Sequence, residues 1–169
     1  MSIDIAKACD GTFYPFDESI AFDNELIDNK IGEFMTAVNV KGTYVLDSED
    51  NVYVEGRLQY DIKFPCDRCL KEVIKHFDVR FTASFYLAGN ESQDGYYSYN
   101  NNSVDLTEAV REDVILNLPN RVLCDDNCKG ICPRCGINLN EAQCNCNECT
   151  DALDSINANN PFAVLKDFK

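Results

Sequence analysis

The alternation of apolar and polar residues in the middle of the chain predicts three β-strands. Apolar side chains recur at every second position over residues 38–46, and a turn-like segment, DSEDN, separates this run from a second alternation over residues 52–64. A third run, over residues 73–85, places apolar residues on one face and mostly polar residues on the other. A period of two is typical of strands. The three runs predict an antiparallel meander with one solvent-facing side, either open or curled towards a barrel.

The period changes to that of a helix after a polar interruption. Residues 89–103 are rich in Asn and Ser and are interpreted as a loop, although their tyrosines leave room for a short strand. The next segment, DLTEAVREDVILNLP, begins with a capping pair, Asp105 and Glu108, and ends at Pro119. Its apolar positions recur every four residues: Leu106, Val110, Val114 and Leu118. We expect one amphipathic helix on the dry face of the sheet, which gives an α+β fold.

The two ends of the chain carry weaker patterns. Ile3 and Ile5 suggest one more short strand, whereas residues 15–33 show no clear period and are expected to contain at most one short helix. Near the other end, Asn160 and Pro161 have the types expected for the cap and the first residue of a short terminal helix.

The charge of the chain argues against broad contact with nucleic acid. It has 29 acidic and 15 basic residues, a net charge of −14, and no basic stripe. Nucleic-acid affinity comes mainly from Lys and Arg that displace counterions from phosphates. A basic protein partner suits such a surface better. The alternative is that the acidity only keeps the protein soluble.

The first residues lack the basic start and apolar run of a secretory signal, and no stretch approaches the roughly 18 apolar residues of a membrane span. We therefore expect a cytoplasmic protein. In a reducing compartment, clustered cysteines are more often used for metal binding or redox chemistry than for disulfides.

Eight of the ten cysteines form pairs with the spacing of metal ligands. Cys66 and Cys69 form a CxxC at the turn between two predicted strands, the geometry of a zinc knuckle, and seven more lie between residues 124 and 149. That later segment has few apolar residues, so without a metal it could not offset its chain entropy. Zinc prefers four thiolates at about 2.3 Å in closed structural sites. We expect two structural Zn²⁺ ions, and at least one.

The pairing between the sites has two solutions. The preferred one joins Cys132, Cys135, Cys144 and Cys146 locally and closes Cys66, Cys69, Cys124 and Cys128 across the fold. The rival solution uses Cys146 and Cys149 as a second CxxC. Cys9 and Cys149 are left over in the preferred pairing, and an isolated cysteine such as Cys9 is expected to be a small buried apolar residue.

Catalytic uses of these cysteines fit the sequence poorly. CKGICPRC has the CxxxCxxC spacing of radical S-adenosylmethionine enzymes, but the 34 residues after Cys135 are too few for their barrel. A thioredoxin-like role needs a helix starting at Cys66, whereas the alternation there favours a strand. The only histidine, His76, lies on the polar side of its strand and offers no hydrolase site. We expect a protein that is not an enzyme and has no catalytic residues.

Four motifs in order resemble a known family. CDRCLKEV, DLTEAVREDVILNLP, CKGICPRCGINLNEAQCNC and NPFAVLKDF, from about residue 34 to the end, are similar to the YceD-type large ribosomal RNA subunit accumulation proteins. The resemblance implies a non-enzymatic ribosome-biogenesis factor that supports accumulation of large-subunit (23S) rRNA. The family's hairpin cysteines correspond to Cys66 and Cys69, and its CKGxCxxCGxNLN segment to residues 128–140.

This role and the acidic charge together favour action through proteins. We expect contacts with a ribosomal protein or a large-subunit assembly factor, with rRNA affected indirectly. The candidate contact residues are Lys129, Arg134, Asn160, Pro161 and Phe162. Two alternatives stay open at this point: a direct RNA-binding zinc module, and a thiol/zinc protein that responds to redox conditions. The alternative for the terminal segment is that its apolar residues dock on the protein's own sheet.

The predicted organisation has three parts. Residues 1–119 form the core of sheet and helix, and residues 120–150 form a Cys-rich zinc-binding segment packed on or near the hairpin at residues 66–69. Residues 151–169 form a tail with a short helix.

Overall fold

A computed structural model describes residues 2–24, 32–88 and 97–146. In these ranges the chain forms eight strands and one helix. The elements are β1 Ser2–Asp4, β2 Phe13–Ile20, β3 Glu33–Phe34, β4 Val38–Leu46, β5 Val52–Pro65, β6 Glu72–Leu87, β7 Tyr97–Tyr99, β8 Ser103–Asp105 and the helix α1 Thr107–Leu116.

Most of the strands belong to one open sheet. Its order is β2-β4-β5-β6-β7, and β3 pairs with β5 beyond the end of β4. All pairings are antiparallel except that of β6 with β7, which is parallel. Strands β1 and β8 form a separate antiparallel pair. The predicted α+β fold is confirmed, and of its two forms the sheet adopts the open one, because β2 and β7 lie at opposite ends of the strand order.

The predicted meander corresponds to β4, β5 and β6. Its register aligns Val40 with Leu58 and Leu58 with Val79, so the apolar positions of the three strands share one face. Tyr60 and Phe77 lie opposite each other on this face, and their rings stack with centroids 4.7 Å apart. The alternation in the sequence therefore translates directly into one buried face of the sheet.

The other face of the meander carries charged pairs. Arg57 and Arg80 lie directly opposite each other on β5 and β6. Each arginine contacts an acid on the diagonal: Arg57 Nε lies 2.6 Å from Asp78 Oδ1, and Arg80 Nη2 lies 2.6 Å from Glu55 Oε1. The diagonal acids offset the repulsion that two facing arginines would otherwise produce.

The helix α1 covers part of the buried face, as predicted. Its buried side chains are Ala109, Val110 and Val114, which join the main core. Asp105 Oδ1 accepts hydrogen bonds from the backbone N–H of Thr107 at 3.0 Å and from its hydroxyl at 2.6 Å. The N-cap residue of the helix is Leu106, which makes no side-chain cap hydrogen bond, so Asp105 bonds to the first helical residue without being the N-cap that was predicted.

Two segments differ from the predictions. Residues 15–33 were too irregular to assign beyond a possible short helix, yet β2 and β3 both fall partly within them. The interval 89–103, interpreted as a loop, contains β7 and the start of β8. The predicted terminal helix, with Asn160, Pro161 and Phe162, lies outside the described residues. No helix in the described part of the chain combines the length and apolar character needed to cross a lipid bilayer.

Candidate metal centres

Four cysteines that are far apart in sequence meet at the tip of the β5–β6 hairpin. Cys66 and Cys69 lie in the turn between these strands, and Cys124 and Cys128 lie in the segment after α1. Their four Sγ atoms all lie within 4.8 Å of one another. The Sγ atoms of Cys66 and Cys128 lie 3.8 Å apart, and those of Cys69 and Cys124 lie 3.5 Å apart. Tetrahedral coordination at about 2.3 Å gives sulfur–sulfur distances of about 3.8 Å, so this hairpin site is suited to hold a metal ion.

Contacts other than the sulfurs also join the hairpin to the later segment. The backbone N–H of Val122 donates to Asp67 Oδ2 at 2.6 Å, and the Asp67 N–H donates to the Val122 carbonyl at 2.9 Å. Arg68 Nη1 donates to the carbonyl of Cys128 at 2.7 Å, and the Arg68 carbonyl accepts from the N–H of Ile131 at 3.1 Å. These four bonds join the two halves of the hairpin site in addition to the four sulfurs.

A second tetrad lies within one short segment. Cys132, Cys135, Cys144 and Cys146 place their Sγ atoms within 4.8 Å of one another. Cys132 is buried and Cys135 is exposed, with the other two half-buried. This loop site is also suited to hold a metal ion, but it is more accessible to solvent than the hairpin site.

The two CxxC turns share one backbone hydrogen-bond pattern. In each turn, the carbonyl of the first cysteine accepts from the N–H four residues later, and its own N–H donates to the carbonyl five residues later. The bonds are Leu70 N to Cys66 O (2.9 Å), Cys66 N to Lys71 O (2.8 Å), Gly136 N to Cys132 O (2.9 Å) and Cys132 N to Ile137 O (2.8 Å). Both turns are therefore built as the same type of knuckle.

The knuckles also direct backbone N–H groups at their first sulfur. Burial acts to raise the pKa of Cys66, but N–H groups of Arg68, Cys69 and Cys124 lower this pKa to about 6. In the loop site, the N–H groups of Cys135 and then Arg134 lower the pKa of Cys132 to about 6.

One cysteine of a neighbouring pair in each site shows the opposite effect. The nearby sulfur of Cys69 raises the pKa of Cys124 to about 12, and that of Cys135 raises the pKa of Cys146 to about 12. In the absence of a cation, each tetrad therefore concentrates its negative charge on some sulfurs and keeps protons on others. A bound metal ion would favour the thiolate form of all four.

The structure brings the eight expected ligands together in the preferred pairing, and their role as metal ligands stays a prediction. Lys129 and Arg134 are exposed on the Cys-rich segment. Cys9 is also exposed, so the expectation of a buried apolar role for it is wrong. Cys149 of the rival pairing lies outside the described residues, as do Asn160, Pro161 and Phe162. His76 is exposed and places Nδ1 2.6 Å from Asp61 Oδ1.

Asn140 is a site residue that the sequence analysis did not identify. Its Nδ2 donates to Cys128 Sγ at 3.3 Å, and this bond opposes the effect of burial and lowers the pKa of Cys128. The pattern of cysteines gives no indication of such a role, because the asparagine follows the CxxC turn by several residues. The only available indication is its place in the NLN of residues 138–140.

A family model described as "Large ribosomal RNA subunit accumulation protein YceD" matches residues 54–169. The chain belongs to the YceD family. Both cysteine tetrads lie within the matched region, and the family's description names an accumulation role and not a reaction.

A curated relative gives a shorter match. It is the "Large ribosomal RNA subunit accumulation protein YCED homolog 1, chloroplastic" of Arabidopsis thaliana, 40% identical over 43 residues, which are 25% of this chain. The match spans only 13% of the relative's own length. No solved structure matches the chain at a significant level.

Proposed function

We propose that this protein is a non-enzymatic ribosome-biogenesis factor that supports accumulation of large-subunit 23S rRNA. The observation that carries the proposal is the YceD family match over residues 54–169, which contains both cysteine tetrads. The printed name of the Arabidopsis relative, also a large ribosomal RNA subunit accumulation protein, supports the same role.

The ligand sets favour zinc in a structural role. Each tetrad consists of four sulfurs close enough to surround a single ion. A closed tetrahedron of thiolates is typical of structural zinc, whereas a catalytic zinc keeps one position for water. The two ions would hold the Cys-rich segment against the β5–β6 hairpin and give it a defined surface.

Charge supports action through proteins. The chain carries −14, and two zinc ions held by eight thiolates would bring this to about −18 on ordinary ionisation. Such a surface repels RNA phosphates and attracts basic proteins. We therefore propose a basic ribosomal protein or a large-subunit assembly factor as partner in the cytoplasm. Residues 160–162 are the candidate contacts to this protein partner, and Lys129 and Arg134 could add a few contacts to phosphates.

Complementation tests this proposal. Cells that lack the gene would receive the wild-type chain, a hairpin-site variant (Cys69→Ser) or the control Cys9→Ser, which removes an exposed cysteine outside both tetrads. We expect 23S rRNA and free large subunits to recover with the wild type and the control, but not with Cys69→Ser. Normal 23S rRNA in cells without any copy of the gene would reject the proposed function.

Direct RNA binding is the second candidate, because Lys129 and Arg134 lie exposed and, among the described residues, neither forms an ion pair with an acidic side chain. Crosslinking and pull-down at moderate salt separate the two. Recovery of ribosomal proteins supports the protein-mediated role. Recovery of naked rRNA fragments, with an affinity that falls steeply as salt rises, supports the RNA-binding role.

A further inference from the structure

One side chain, that of Asn140, connects the two tetrads. Asn140 lies between Cys135 and Cys144 in the loop site, yet its Nδ2 donates to Cys128 Sγ of the hairpin site at 3.3 Å. Its Oδ1 accepts a hydrogen bond from the backbone N–H of Lys129 at 2.8 Å. The amide therefore contacts the hairpin site both at a sulfur and at the adjoining backbone.

The orientation of this amide is fixed by the loop that carries it. Asn138 Oδ1 accepts hydrogen bonds from the backbone N–H of Asn140 at 3.0 Å and from Asn140 Nδ2 at 2.8 Å. Asn138 Nδ2 in turn donates to Glu141 Oε1 at 3.1 Å, and the N–H of Leu139 donates to the Gly130 carbonyl at 2.9 Å. The two hydrogens of the Asn140 amide are thus shared between its own loop and the Cys128 sulfur.

We propose that the two sites bind metal cooperatively and that Asn140 is the positioning residue that couples them. This inference rests on the proposed metal binding. A metal ion in the loop site would fix the loop between Cys135 and Cys144, and the fixed loop would hold the Asn140 amide against Cys128. A hydrogen bond to a metal-bound thiolate stabilises the ligand and fixes its orientation. Because coupling is reciprocal, occupancy of the hairpin site would equally favour the loop site.

The sites differ in the contacts that support them. The hairpin site has its own anchors in Asp67 and Arg68, which bind the later segment independently of the loop. The loop site lacks a comparable tie to the sheet among the described residues, and its backbone pairs instead with residues 130 and 131 beside the hairpin site. The hairpin site therefore has more support from the rest of the fold, and the loop site packs on the surface beside it.

Titration with Co²⁺ against a competing chelator tests the coupling, because cobalt–thiolate absorption reports both stoichiometry and affinity. The variants are Asn140→Ala, the loop-site variant Cys135→Ser with Cys146→Ser, and the combination of all three changes. We expect Asn140→Ala to lower the Co²⁺ affinity of the hairpin site about tenfold or more, as removal of an outer-shell partner typically does. The loop-site variant should lower the affinity of the hairpin site by a similar factor. The combined variant should lower it little further, because both changes remove the same coupling.

Two further variants make the result specific to the amide. Asn140→Asp keeps an oxygen for the Lys129 N–H but loses the donor to Cys128, so it should also weaken the hairpin site. Asn127 is the control: it lies beside Cys128, its side chain is exposed, and its backbone N–H donates to Asp125 Oδ1. Asn127→Ala should leave the affinity of the hairpin site unchanged. Far-UV circular dichroism checks that the sheet persists in every variant.

The outcomes separate this inference from the proposed metal binding. The coupling is rejected if Asn140→Ala binds two equivalents with wild-type affinity, if the loop-site variant retains full affinity at the hairpin site, or if Asn127→Ala is as weak as Asn140→Ala. Wild-type protein that takes up no Co²⁺ would instead reject the metal binding itself, and the coupling with it.

Discussion

Leu70 and Gly136 hold the same left-handed backbone conformation, with φ of 60° and 72°, one residue after the second cysteine of their CxxC turns. The matched hydrogen bonds of the two knuckles need this conformation at that position. It costs an L-residue roughly 1–2 kcal/mol, so glycine suits it and leucine carries strain.

Replacing Gly136 with Ala should weaken the loop site. A Cβ at Gly136 would meet nothing within 4 Å, so the cost is conformational only, about 1 kcal/mol. We expect about a fivefold loss of metal affinity at the loop site, measured by chelator competition. Gly11→Ala is the matched control, since Gly11 has φ of 69° and equally open surroundings but lies outside both sites. Equal losses in the two variants would contradict the prediction.

Asp67→Ala should loosen the hairpin site in the metal-loaded protein. The change leaves the N–H of Val122 without its carboxylate acceptor, and Val122 is only 4% exposed. An unsatisfied buried donor costs about 1–3 kcal/mol. We expect faster amide exchange across residues 122–131 in the metal-loaded protein.

Asp67→Asn retains an oxygen acceptor, so its amide exchange rates across residues 122–131 should lie between those of the wild type and those of Asp67→Ala. Wild-type exchange rates in the alanine variant would show that the Asp67–Val122 pair does not hold the two segments together.

Chelation should affect the two parts of the protein differently. The sheet has its own core, which includes Leu58, Tyr60 and Phe81 at 0–1% exposure. The Cys-rich segment has little apolar surface to bury, so we expect its order to depend on metal. On metal removal, hydrogen exchange should keep the protection of β4–β6 and lose that of Gly136 and other knuckle amides. Loss of protection in β5 together with the knuckles would mean that metal also holds the sheet.

Thiol alkylation should follow exposure in the metal-loaded protein. Cys9 is exposed and outside both tetrads, Cys135 is exposed within the loop site, and Cys66 is fully buried. We expect iodoacetamide to label Cys9 first, Cys135 later and Cys66 last, as read by peptide mass spectrometry. Labelling of Cys66 before Cys135 would contradict the relative accessibility of the two sites.

The sequence predicted the parts of the fold in which one physical pattern dominates. Strands β4, β5 and β6 alternate cleanly because one face is buried, and α1 has a regular apolar face. Strand β2 was missed because Phe13 and Glu18 break its alternation. Phe13 lies on the exposed side, and Glu18 takes an inward position but stays exposed at the edge of the sheet. The parallel pairing of β7 with β6 depends on long-range contacts that no local pattern encodes.

The candidate sites were predictable to a similar extent. Spacing alone suggested how eight cysteines divide into two sets, because CxxC turns place two sulfurs together. The roles of Asp67 and Asn140 were not predictable. Asp67 bonds to Val122, 55 positions away, and Asn140 bonds to Cys128, 12 positions away. Hydrogen bonds between segments that are distant in sequence appear only once the fold is known.

The number of metal ions per chain tests the central claim most directly. Native mass spectrometry of freshly isolated, reduced protein should show two zinc ions per chain, one in a variant with Cys135→Ser and Cys146→Ser, and none when Cys69→Ser and Cys128→Ser are added. Metal-free wild-type protein whose residues 124–146 still resist hydrogen exchange would contradict the claim that bound metal holds this segment in place.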